Sequence, residues 1–115
     1  MIPWIELQTA DQLQQLTEQS FQRPQIIFKH STRCSISSMA KSRVERGPVP
    51  VGADFYYLDL IRFRELSNQI ADQFQVWHES PQVLLIRNGA CVYDESHNGI
   101  SIAELEDQLA STPNL

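Results

Sequence analysis

The chain has 115 residues, 42% hydrophobic and 20% charged, with a formal net charge of −5, so it holds enough apolar material for one modest core and needs no second domain. The negative balance argues against nucleic acid as the main partner, because phosphate binding needs a cationic surface. No run approaches the ~18 apolar residues of a membrane span, and Met1-Ile2-Pro3-Trp4 lacks a basic region followed by a long apolar stretch; a soluble, unexported cytoplasmic protein of one domain over residues 1–115 is expected.

Along the chain, strands and helices alternate. Trp4 to Leu7 fits a short first strand, and Thr9-Ala10-Asp11-Gln12 has the form of a capping box opening a helix with Leu13 and Leu16 inward. Gln25-Ile26-Ile27-Phe28 is a compact apolar run, expected as a buried central strand. From Cys34 onward Ile36, Met39, Ala40, Arg43 and Val44 recur with helical spacing, and Gly47-Pro48 ends that helix. Phe55 to Asp59 is the next strand, followed by a helix lined by Phe63, Leu66, Ile70 and Phe74. Val83 to Ile86 and Ala90 to Tyr93 flank Arg87-Asn88-Gly89, a tight hairpin signal. Ser101 caps a last helix carrying Ile102, Leu105 and Leu109. The order βαβαβαββα implies an α/β fold, a mixed central sheet with helices on both faces.

Only two cysteines are present, 57 positions apart. They form neither a metal pair nor a disulfide framework, so no metal site is expected and a reducing compartment fits. Cys34 stands where a strand passes through a short loop into a helix. Unpaired amides and the positive end of the helix dipole favour an anionic sulfur there, and Lys29 and Arg33 add cationic charge. Five of the nine Lys/Arg (Lys29, Arg33, Lys41, Arg43, Arg46) fall between residues 29 and 46, where Glu45 is the only acid; the plain alternative is a solvated helix face. Ser37, three positions after Cys34, is placed to donate a hydroxyl hydrogen to the thiolate. No cysteine occupies that place, so a local dithiol mechanism is excluded. A lone cysteine is also commonly core filler, and Cys91, amid apolar neighbours in the second hairpin strand, is read that way. The segment Trp77-His78-Glu79-Ser80-Pro81-Gln82 puts a proline at a strand entrance.

These motifs resemble the thioredoxin superfamily, and within it the YtxJ-type monothiol bacilliredoxins of the bacillithiol redox system. The residues that carry the resemblance are His30-Ser31-Thr32-Arg33-Cys34-Ser35-Ile36-Ser37, Tyr57-Leu58-Asp59-Leu60-Ile61, Arg64-Glu65-Leu66-Ser67-Asn68, His78 to Ile86, and Ser96-His97. The resemblance implies a thioredoxin-like fold and a nucleophilic Cys34 that takes bacillithiol from a mixed disulfide on a client protein, with a second small thiol regenerating it. It implies no bound cofactor, bacillithiol or another low-molecular-weight thiol as cosubstrate, S-thiolated client proteins as partners, and a monomer or weak homodimer. It further implies that Pro81 is a cis-proline facing Cys34, with Ser80 and the His97 loop bordering the same groove. Where the family commonly has proline directly after the cysteine, this chain has Ser35, which restores an amide donor. Because bacillithiol carries a malate moiety, Lys29, Arg33 and Arg43 are candidate carboxylate partners, and His30 is a candidate imidazolium beside the sulfur. Two other readings compete: a redox-inactive binding module holding a peptide edge at Ser80-Pro81, and a dithiol enzyme with Cys91 as a distant resolver.

Overall fold

In chain order the elements are β1 (Ile5–Glu6), α1 (Ala10–Gln19), β2 (Gln25–His30), α2 (Ser35–Arg46), β3 (Asp54–Asp59), α3 (Arg64–Phe74), β4 (Gln82–Arg87), β5 (Ala90–Ser96), a 3-10 turn (His97–Gly99) and α4 (Ile102–Ala110). They come from a computed structural model that describes residues 2–110. One five-stranded sheet runs β1-β3-β2-β4-β5. β1, β3 and β2 are parallel, while β4 runs antiparallel to both β2 and β5. The α/β reading with a mixed sheet therefore holds.

Both central strands, β2 and β4, are buried at every position, because helices cover both faces of the sheet. Alternation along the strands sends Ile26, Phe28, Phe55, Val83 and Leu85 to one side, where Ala40 and Val44 of α2 and Leu105 of α4 pack. Ile27, Leu58, Leu84 and Ile86 go to the other, against Leu13 and Leu16 of α1 and Leu66, Ile70 and Phe74 of α3. Among the described residues no helix is long and apolar enough to cross a membrane.

Local signals fix the ends of several elements. The Thr9 side chain accepts from the Gln12 amide while the Gln12 side chain reaches back to the Thr9 amide, closing the capping box. Asn88 and Gly89 both take positive φ, at 52° and 79°, as a two-residue turn between right-twisted strands requires. Ser101 Oγ accepts from the Glu104 amide at the start of α4.

Helix α2 departs from its expected facing. Ser37, Ala40 and Val44 are its buried residues, whereas Ile36 and Met39 are 51% and 63% exposed. Small side chains at 37 and 40 let the helix lie close on β2, where the bulky Phe28 and His30 already fill the space, so the larger apolar pair turns outward.

Candidate active site

Cys34 is the N-cap residue of α2, with extended backbone angles and no side-chain capping hydrogen bond. It is a free thiol and half-buried, as Cys91 also is. Its amide donates to Ser31 O at 3.2 Å and its carbonyl accepts from the Ser38 amide at 3.0 Å, which fixes the loop onto the first helical turn. That turn contains no acidic residue. The first amides of a helix have no partner within it, so they and the positive end of the dipole lie at the sulfur's end of α2. Arg33, adjacent, is exposed and carries the cation nearest in sequence.

Strand pairing brings the proline loop to the same end of the sheet. Lys29 of β2 pairs with Gln82 of β4, so Pro81 lies beside the end of β2 from which the Cys34 loop departs. The Ser80–Pro81 peptide bond is cis. The His97 amide donates to Pro81 O at 3.0 Å, and the His97 ring meets Glu79 Oε1 at 3.3 Å. Ser80, Pro81 and His97 are thus brought together at the Cys34 end.

Four residues expected beside the sulfur or its ligand have other bonding partners. Ser37 is fully buried, and its hydroxyl accepts from the Ser31 amide at 3.0 Å and lies 2.6 Å from His30 Nδ1. Its hydrogen-bonding capacity goes to clamping the β2–α2 loop, not to the sulfur. His30, 5% exposed, is no imidazolium: burial and the Lys41 ammonium lower its pKa against the opposing pull of Asp59 and Glu45. Arg43 donates to the carbonyls of His97 (3.1 Å) and Ile100 (3.3 Å). It ties α2 to the loop after β5 and has fewer hydrogens left for a ligand.

Lys29 is the fourth. It is fully buried, its Nζ donating to Ser67 O at 3.1 Å and meeting His78 Nδ1 at 3.3 Å. It points to the α3 side of the sheet, while α2 lies on the other, so it neither faces Cys34 nor reaches a solvent-borne carboxylate. Burial alone pushes its pKa down to about 8. Strand alternation was the signal that could have found this: if Phe28 faces α2, Lys29 must not. Ser67 and His78, its partners, were not singled out for this role by sequence reasoning.

Cys91 sits at the opposite end of the sheet. It pairs with Ile86, which pairs with Gln25 at the start of β2, and from Gln25 to His30 the strand rises about 16 Å at ~3.3 Å per residue. Its thiol is bonded to Tyr93 O at 3.3 Å, and burial pushes its pKa up to about 11. That separation argues against a resolving role within one folded chain.

Residues 5–105 match the family model described as monothiol bacilliredoxin BrxC. The chain belongs to the monothiol bacilliredoxin family. Among solved structures, this bacilliredoxin is similar to a protein described as a putative oxidoreductase with a thioredoxin fold, with 33% identity, 94% of each chain covered and a TM-score of 0.78. It is also similar to Schistosoma mansoni thioredoxin, with 24% identity, 96% and 95% coverage and a TM-score of 0.66. A third is a mutant thioredoxin from Halobacterium salinarum, with 19% identity, 100% and 96% coverage and a TM-score of 0.72. The last two show the fold alone. The word monothiol fits a chain with one cysteine at the start of α2 and serine, not cysteine, three positions on.

Proposed function

We propose that the protein is a monothiol thiol-disulfide oxidoreductase that removes bacillithiol from S-thiolated client proteins through Cys34. The observation that carries this reading is the placement of one thiol at the N-cap of α2 with the other cysteine at the far end of the sheet. The Cys34 thiolate attacks the bacillithiol sulfur of the mixed disulfide; the old S–S bond breaks, and the client sulfur leaves with the electron pair and takes a proton from water. A second bacillithiol thiolate then attacks the bacillithiol sulfur on Cys34, forming the symmetric disulfide and freeing Cys34. No net oxidant is consumed beyond the disulfide itself.

The unpaired amides at the start of α2 and the exposed Arg33 guanidinium set positive charge at the Cys34 end of the helix, where negative charge is shared among the three sulfurs during exchange. Arg33 remains the candidate partner for a malate carboxylate, being exposed where Lys29 is buried and Arg43 is bonded to backbone. Ser80, Pro81 and His97 line the side on which the client's chain lies.

Intact-mass analysis tests the scheme. Reduced protein mixed with a bacillithiolated client should gain the mass of one bacillithiol, located at Cys34, and Cys34→Ser should gain none. Loss of two hydrogens with no adduct would overturn it in favour of a dithiol mechanism, and an unmodified protein would overturn it in favour of a binding role.

A further inference from the structure

The exchange proposed above uses nothing from the other face of the sheet, yet a lysine is buried there. Lys29 is flanked in register by Leu58 of β3 and Gln82 of β4, and α1 adds only Leu13 and Leu16 to that core. Among the described residues no carboxylate pairs with it. A buried ammonium without a carboxylate weakens a fold, and an apolar side chain of similar length avoids that penalty. Its hydrogen bonds run instead to Ser67 O of α3 and to His78 Nδ1, and Ser67 Oγ lies 3.2 Å from the same ring nitrogen. Gln82 adds a bond from Nε2 to Trp77 O at 2.9 Å, while its Oε1 is buried without a partner. Three of these four bonds end on Trp77-His78, the segment that leads into Ser80–Pro81, and the fourth ties Lys29 to α3.

We propose that Lys29 is a positioning residue: with Gln82 it fastens the Trp77–His78 segment to α3, and so holds the Ser80–Pro81 edge in place beside the Cys34 loop, provided that His78 is neutral. This rests on the oxidoreductase reading. An ammonium has only hydrogens to give, so His78 Nδ1 must accept and the ring carries its proton at Nε2. The charged groups bearing on His78 are Lys29 itself, Arg64 from α3 and Glu79 from its own loop. Burial and the two cations lower the His78 pKa while Glu79 opposes them. Protonating the ring removes the acceptor and sets two cations 3.3 Å apart, which releases the segment.

The test compares wild type with Lys29→Met and His78→Asn. The asparagine oxygen stands in for Nδ1 and does not titrate. In the free protein, amide hydrogen exchange of residues 77–80 should quicken about tenfold or more in Lys29→Met, with α2 unchanged. In turnover of an S-thiolated client protein, Lys29→Met should raise KM about fivefold or more with kcat within about twofold, as expected for lost positioning. Wild-type KM should rise in acid, at a pH below the ordinary imidazole value because burial, Lys29 and Arg64 lower the His78 pKa, and His78→Asn should keep the neutral KM and lose that rise. Unchanged exchange at 77–80 in Lys29→Met, or an acid rise retained in His78→Asn, overturns the proposal. Should Lys29→Met fail to fold, His78→Leu decides the matter by the same exchange and KM readouts. Exchange needs no substrate, so a protein that turns nothing over refutes the enzyme reading while the fastening is still decided.

Discussion

Replacing Lys29 by methionine keeps the length of the side chain and removes its charge, and the consequence for stability has a definite sign. In the folded protein Lys29 titrates at about 8 instead of 10.5, because burial disfavours the ammonium. Between those two values the unfolded chain binds more protons than the folded one, so this group makes stability rise with pH from about 8 to about 10.5. Below that window its full penalty is present, and above it the penalty is gone. At about 1.36 kcal/mol per pH unit the drop corresponds to about 3 kcal/mol. The bonds to Ser67 and His78 and local relaxation offset part of it, leaving ~1–3 kcal/mol. With a urea m-value of ~1.5 kcal/mol/M, Lys29→Met should raise the unfolding midpoint by roughly 1–2 M at pH 7, and the gap should close by pH 10.5. The difference between the two proteins must be taken, because other groups oppose the trend. Burial raises Cys91 to about 11 and Tyr93 to about 12, so they lose protons first when unfolded and make stability fall with rising pH in both proteins. A variant less stable than wild type at pH 7, or a gap that stays constant with pH, would refute the reasoning.

Cys91→Ser should leave turnover within about twofold, and at pH 8 iodoacetamide should label Cys34 while Cys91, with about one thiol in a thousand ionised, stays unmodified in peptide mapping. Ser37→Ala strands the Ser31 amide in a buried site and should cost about 1–3 kcal/mol in urea unfolding; a neutral effect would show that the hydroxyl does not clamp the loop. Arg43→Ala removes two bonds to backbone carbonyls, so turnover of bacillithiol disulfides and of uncharged disulfides should fall by the same factor. Arg33→Glu should instead weaken the bacillithiol disulfide selectively, and equal losses there would exclude Arg33 as a carboxylate partner.

The sequence by itself determined the features that depend on near neighbours. Thr9 and Gln12 close a box across three residues, Asn88-Gly89 supplies a turn that needs positive φ, and the run through Cys34 puts a cysteine at a helix start. The element order then follows, and with it the fold class, since alternating strands and helices with a closing hairpin permit few arrangements. Tertiary structure decided what each polar group near the cysteine is bonded to. Lys29 and His30 are adjacent in the chain and near Cys34 in sequence, yet the pleat sends one beneath α3 and the other beneath α2, where residues 37 and 67 wait for them. Arg43 meets its acceptors 54 and 57 positions later. A positively charged stretch read along the chain was therefore divided between two faces of a sheet, because strand pairing assigns hydrogen-bond partners by register across the fold and not by distance in sequence.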